Sequence, residues 1–259
     1  MITSSANGRI KQVMNLAKKA KARKETGLFV AEGLRMFREL PKDRIDSLFV
    51  SESFLEDESR RSLLSGTRYE TVSDEVFKTM SDTQTPQGIL ALVKQYSYEP
   101  ADLKNGREPV LLMVLESIQD PGNLGTILRA GEGAGITGVL MNDATADIYN
   151  PKVIRSTMGS ICRVPFVYTD DLPGALKELK SWGVRLYAAH LNGRNNYEKE
   201  DYTVDTGFLI GNEAQGLTEK TASLADAYVK IPMMGKVESL NAAVAASVLM
   251  FEAARQRRQ

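Results

Sequence analysis

Along this chain, apolar residues fall in short runs whose period switches between helix and strand. Near the N-terminus Ile10, Val13, Leu16 and Ala17 recur at helical spacing, which predicts an amphipathic helix with its basic face outward. Strand patterns at 47–51, 69–72 and 88–95 then alternate with helix patterns at 32–40, 56–64 and 74–80. That alternation predicts a small α/β domain. Residues 96–109 are polar, carry Pro100, Gly106 and Pro109, and read as a linker. Beyond them the continuous apolar run 110–115 has the character of a buried parallel strand. Further strands are expected at 138–141, 187–189, 208–210 and 228–231, and helices at 123–133, 172–182 and 240–255. The expected architecture is an α/β domain with a mostly parallel sheet over 110–259, a linker at 99–109, and a smaller α/β domain over 1–98.

With 259 residues, 42% of them hydrophobic, the chain can bury a real core. The longest apolar stretch, 242–251, is interrupted by Ser247 and is far short of the ~20 residues that span a bilayer. No apolar leader is visible, no repeat recurs, and the expected setting is soluble and cytoplasmic. A single cysteine, Cys162, excludes an internal disulfide framework and reads as a small core residue. With one histidine as well, a His/Cys zinc cluster is excluded, and no metal is expected. That histidine, His190, falls near a strand end and could touch a ligand there; the favoured reading is a loop histidine.

Formal charge sums to zero, with 33 basic and 33 acidic residues, which taken alone argues against a nucleic-acid partner. Its distribution changes that picture. Residues 1–24 hold Arg9, Lys11, Lys18, Lys19, Lys21, Arg23 and Lys24 and no acid. Such an arm is an electrostatic footprint for phosphates, and Arg9, Lys11, Lys18, Lys19, Arg23 and Lys24 are the candidate nucleic-acid contacts. A merely solvated helix face is the competing reading.

Three loops carry candidate chemistry. The first follows the strand at 110–115: the turn Asp120-Pro121-Gly122-Asn123 offers Asn123 as a helix N-cap, and Arg129 lies less than two turns further on. In open α/β sheets that edge is where ligands bind. The Gly131-Glu-Gly-Ala-Gly135 run follows a helix, so it cannot seat a pyrophosphate on a helix N-terminus; it reads as a helix C-cap. This excludes a nucleotide-dependent oxidoreductase. The second loop, around Ile210, Gly211, Asn212, Glu213 and Gly216, crowds a carboxylate and two amides into a tight turn. In the third, Ile231, Pro232 and Met233 lead to Ser239, Leu240, Asn241 and an alanine-rich helix, with Ser239 at the expected helix start.

Together, in this order and spacing, the loops resemble the three motifs of the SpoU/TrmH family of RNA ribose 2′-O-methyltransferases, within the SPOUT superfamily. The matching residues are Asn123, Gly125 and Arg129; Gly211, Glu213, Gly216 and Leu217; and Ile231, Pro232, Gly235, Ser239, Leu240, Asn241 and Ala243. The pattern from Leu16 through Phe29-Val-Ala-Glu-Gly33 to Gln87-Gly88 resembles the substrate-binding domain of rRNA-directed members. The resemblance implies S-adenosylmethionine as donor, a C-terminal trefoil knot and a homodimer. It also implies a donor site over Ile210, Gly211, Asn212, Gly216, Ile231, Pro232, Met233, Leu240 and Ala243. It assigns the reacting end to Asn123, Arg129, Glu213, Ser239 and Asn241. Arg129 is implied either as the group sharing the 2′-hydroxyl proton, although guanidinium pKa values lie above ~12, or as a bidentate phosphate clamp. The substrate class implied by the extra domain is large-subunit (23S) rRNA; tRNA methylation and a non-catalytic RNA-binding or assembly role are the alternatives.

Overall fold

The computed structural model describes residues 1–104, 106–191 and 193–258. Its contacts divide into two compact units, Met1–Tyr96 with Asp147–Cys162, and Ser97–Ala146 with Arg163–Gln259.

In the first unit the N-terminal helix forms as the spacing predicts. Helix α1 (Gly8–Lys18) is capped by Asn7 and buries Ile10, Val13 and Leu16. Lys19 is extended, so the basic arm continues as a second helix, α2 (Ala20–Thr26). Strand β1 (Leu28–Glu32) occupies a stretch where no strand was expected, and Gly33, at φ 98°, turns it into α3 (Leu34–Glu39). Next come β2 (Ile45–Ser51), the short helices α4 (Glu52–Glu56) and α5 (Glu58–Ser62), β3 (Glu70–Val72), α6 (Asp74–Met80) and β4 (Ile89–Lys94). The sheet order is β1-β4-β2-β3; β4 runs antiparallel to β1 and β2, and β3 parallel to β2. Ile10, Val13 and Leu16 share a core with Val30, Phe49, Phe77, Leu90 and Leu92. Each such side chain, fully buried, contributes roughly 1.5–3 kcal/mol.

The basic arm needs one correction. Arg23 is 3% exposed, so it is no RNA contact. Its guanidinium donates to the Leu16 carbonyl (2.6 Å) and, through Nε and Nη2, to Asp147 Oδ2 (2.9 and 2.6 Å). Arg9 is half-exposed but engaged: it pairs with Glu70, donates to Ser47 Oγ and lies over the Phe49 ring. Lys11, Lys18, Lys19 and Lys24 are exposed.

The second unit opens with the expected linker, which is not a free tether. Pro100–Lys104 forms a 3-10 turn, and Leu103 is buried where Gly138 leaves no room for a Cβ. Asn105 lies outside the described residues. Strand β5 (Leu111–Leu115), helix α7 (Pro121–Ala134) and strand β6 (Gly138–Asn142) follow. The chain then joins the first unit, where the linear reading of 110–259 as one domain expected no departure. There Tyr149 stacks on Phe29 (4.9 Å), and α8 (Pro151–Thr157) ends in a 3-10 turn holding Cys162, half-buried and not a core residue.

Returning, the chain forms β7 (Phe166–Thr169), α9 (Leu172–Ser181), β8 (Arg185–Ala189), β9 (Asn195–Asn196), β10 (Thr206–Ile210), α10 (Glu219–Ala222), β11 (Ala227–Lys230) and α11 (Ala242–Gln256). The strand order is β7-β6-β5-β10-β8-β11-β9, and every recorded pairing is parallel. The α/β class and the parallel sheet are as the sequence predicts. Parallel strands put the loops after β5, β10 and β11 at one edge of the sheet. Among the described residues, no helix is long and apolar enough to cross a membrane.

Candidate functional site

Loop one leaves β5 at Glu116. Asp120, not Asn123, caps α7: its carboxylate accepts the Asn123 N–H (2.8 Å), and Pro121 takes the first helical position. Asn123 is therefore the third residue of the helix, with its side chain free for another task. A parallel correction applies to loop three. Asn241, not Ser239, caps α11, accepting from the N–H groups of Ala243 (2.9 Å) and Val244 (3.3 Å).

These two shifts produce the central feature of the site. Asn123 Nδ2 donates to Glu213 Oε1 (2.9 Å), and Asn241 Nδ2 donates to Asn123 Oδ1 (2.9 Å). Glu213 also accepts from the N–H groups of Gln119 (3.1 Å) and Asp120 (3.2 Å). One carboxylate and two amides thus tie all three loops together. Partial burial pushes the Glu213 carboxyl up, but the bonds from Asn123, Gln119 and Asp120 outweigh it and hold it below its ordinary 4.5.

Loop two is a tight hairpin. The backbones of Asn212 and Gly216 exchange both hydrogen bonds (3.0 and 2.9 Å), and Asn212 Oδ1 accepts from Ala214 (2.9 Å) and Gln215 (3.1 Å). Gly211 is obligatory here: a Cβ would stand 2.1 Å from the Gly216 carbonyl carbon. Downstream, buried Glu116 accepts from Thr218 N and Oγ1 (both 2.8 Å) and from Thr221 Oγ1 (2.5 Å), fastening the exit of the loop.

Beside this knit lies a cavity of about 750 Å³. Of the expected donor residues, Ile210, Gly211, Asn212, Gly216, Ile231, Pro232, Met233 and Leu240 line it, and so do Glu213 and Ser239. Ala243 does not; it is buried on the helix face it shares with Ala246, Met250 and Ala253. The neighbouring face, Ala242, Ala245 and Leu249, lines the cavity instead, because these recur at one helical phase. His190 lies in the loop directly after β8, as expected, and lines the cavity there, its ring 5.1 Å from that of Tyr228. Sequence reasoning missed Ala189, Val229 and Leu249; their one signal is position near strand ends or on the phase of Ala242.

Arg129 stands apart. It is exposed on α7 and is not among the cavity-lining residues. The helices α7 and α11 pack closely, Gly131 leaving space for Ile136 and Met250. Their outward side carries Val244 and Phe251, both about half exposed, beside Gly133. Among the described residues, no group of three or more His, Cys, Asp or Glu could hold a metal ion.

A parallel sheet whose carboxyl edge carries a cavity of mixed polar and apolar lining and three loops joined through polar side chains defines a small-molecule-binding α/β protein. Residues 110–251 match the model of the SpoU rRNA methylase family, and the chain belongs to that family. Residues 7–91 match that of the MRM3-like substrate binding domain. The chain is 32% identical to the 23S rRNA (guanosine(2553)-2'-O)-methyltransferase RlmP of Bacillus subtilis, over 96% of this chain and 97% of that one. Among solved structures, the SpoU methyltransferase AviRb of Streptomyces viridochromogenes, in complex with the cofactor AdoMet, superposes with a TM-score of 0.89 at 27% identity, covering 98% and 99% of the two chains. An AdoMet-bound rRNA methyltransferase from Sinorhizobium meliloti superposes with a TM-score of 0.82 at 30% identity, over 98% and 97%.

Proposed function

We propose that this protein methylates a ribose 2′-hydroxyl of large-subunit (23S) rRNA, with S-adenosylmethionine as donor. The observation that carries this reading is the Glu213–Asn123–Asn241 bonding, which joins three loops beside a cavity large enough for the donor. The cavity fits the donor chemically: Ile210, Leu240, Ala245 and Leu249 supply apolar wall, and the glycine hairpin brings backbone polar groups to its edge. When bound, S-adenosylmethionine supplies a methyl group on a sulfonium, open to in-line displacement by a ribose oxygen. The protein contributes alignment, a factor worth up to ~7–11 kcal/mol in well-oriented intramolecular reactions.

In this scheme Ile210, Gly211, Asn212, Gly216, Ile231, Pro232, Met233 and Leu240 hold the donor. Asn123 positions the ribose or its phosphate, Glu213 holds Asn123, and Ser239 with Asn241 completes the site. Arg129 shares the 2′-hydroxyl proton or clamps a phosphate. A homodimer built on α7 and α11, whose half-exposed Val244 and Phe251 support that interface, sets α7 with its exposed Arg129 against the partner chain. The family's trefoil knot is proposed for the chain threading through loops two and three. Lys11, Lys18, Lys19 and Lys24 meet RNA phosphates, and the proposed location is cytoplasmic. Transfer of labelled methyl from S-adenosylmethionine to 23S rRNA tests the reading. Wild type is expected to label rRNA, and Arg129→Lys to lose labelling while keeping its melting temperature and donor affinity. Near-wild-type labelling by Arg129→Lys contradicts both roles given to Arg129. Labelling of tRNA alone contradicts the substrate, and a folded wild type that binds no donor points to a non-catalytic RNA-binding factor.

A further inference from the structure

We infer that Asn142, at the end of β6 and outside the three motif loops, is a positioning residue that sets the donor hairpin through a strained Ser117. The inference rests on the donor site proposed above. Ser117 follows β5 directly and has a φ of 60°, a left-handed conformation that residues with a Cβ rarely adopt. Asn142 holds it there with both ends of its amide: Oδ1 accepts the Ser117 N–H (2.8 Å), and Nδ2 donates to Ser117 Oγ (2.9 Å). The Ser117 N–H can only donate, which fixes Oδ1 toward it, and Thr145 Oγ1 donates to the same Oδ1 (2.9 Å).

The consequence appears on the far side of Ser117. Its carbonyl accepts from Asn212 Nδ2 (2.9 Å), leaving Asn212 Oδ1 to bind Ala214 and Gln215. The hairpin that walls the cavity therefore takes its placement from a chain of contacts running Thr145, Asn142, Ser117, Asn212. That chain does not pass through Glu213 or Asn123. Strained backbone held by side-chain clamps at a site edge is a means of preorganisation. Glycine adopts the same φ without a steric cost, so a glycine at 117 does not need the clamp.

This gives a rescue experiment on the full-length protein: Asn142→Ala, and the Ser117→Gly/Asn142→Ala double variant. The readouts are the calorimetric Kd for S-adenosylmethionine, KM for 23S rRNA, and melting temperature. Loss of the clamp is expected to weaken donor binding about tenfold, with KM for RNA within about twofold of wild type. The double variant is expected to bind donor at least threefold more tightly than Asn142→Ala. Should the alanine variant not fold, Ser117→Ala keeps the backbone N–H bond to Asn142 Oδ1, loses only the Oγ partner of Nδ2, and is expected to shift donor binding in the same direction; unchanged affinity there also overturns the inference. Unchanged donor affinity in a folded Asn142 variant, or a double variant no tighter than the single, overturns the inference. A wild type that binds no donor overturns the function reading, and the inference with it.

Discussion

Replacing Asn123 by Asp is the sharpest perturbation of the three-loop knit. The exchange keeps shape, and the new carboxylate still accepts from Asn241 Nδ2. What changes is the contact with Glu213, where a donor 2.9 Å from Oε1 becomes a second carboxylate. A hydrogen bond to a charged group is worth about 1.5–3 kcal/mol, and exposure at this site favours the low end. Two like charges about 4 Å apart add a repulsion between ~1 kcal/mol in bulk water and ~4 kcal/mol at an effective dielectric of 20. Asn123→Ala loses the bonds without the repulsion. At 1.4 kcal/mol per tenfold, alanine is expected to lower kcat/KM about tenfold to a hundredfold, and aspartate about tenfold further. Steady-state methyl transfer on 23S rRNA, with melting temperatures as a folding control, reads the order directly. Acidification toward pH 5 should narrow the gap, because one of two adjacent carboxyls then protonates. An aspartate variant as active as the alanine variant, or more so, refutes the account of Glu213 as a charged acceptor that holds Asn123.

Three further outcomes are expected. Gly211→Ala abolishes donor binding in calorimetry, since its Cβ would meet the Gly216 and Leu217 backbone at 2.1–2.3 Å; retained affinity contradicts the hairpin geometry. Arg23→Ala removes charged hydrogen bonds to the part-exposed Asp147 carboxylate and lowers stability by ~1.5–3 kcal/mol in chemical denaturation, whereas Lys18→Glu with Lys24→Glu leaves stability alone and flattens the salt dependence of RNA binding. The folded Glu213 pKa lies below 4.5, so the unfolded chain binds the more protons; its contribution to stability is complete above about pH 4.5 and is lost as pH falls through the folded value. The melting-temperature gap between wild type and Glu213→Gln should therefore stay constant from about pH 6 to 8 and shrink under acid; a gap that widens contradicts the sign.

Much of this was legible in local pattern. The run 110–115 announced a buried parallel strand, and all but one of the expected donor residues line one cavity, because they sit at the carboxyl end of β10 and in the loops after β10 and β11. The misreadings have physical causes. Asp120 and Asn123 are both good caps three residues apart, and the choice fell to Asp120 because Pro121 follows it; at the other helix Asn241, nearer the alanine run than Ser239, takes the cap by accepting from Ala243 and Val244. Ala243 missed the cavity by one step of helical phase. Strand β1 was hidden because Glu32 reads as the start of a helix over 32–40, whereas it ends the strand, buried and satisfied by Ser81, Thr83 and the Asp82 N–H. Arg23 looked like one more charge in a basic arm; its partner lies 124 residues away, where no local pattern reaches. The clamp of Asn142 on Ser117 was equally invisible, since it exists only once β5 and β6 pair.

The central claim is that the knit of three loops at the sheet edge serves methyl transfer to a ribose of 23S rRNA. Mapping 2′-O-methylation across rRNA and tRNA, in cells with and without the gene, tests it most directly. The account predicts the loss of a 2′-O-methyl group from 23S rRNA, restored by the wild-type protein and not by Arg129→Lys. Unchanged rRNA with a methyl lost from tRNA, or no methyl lost from either, would contradict it.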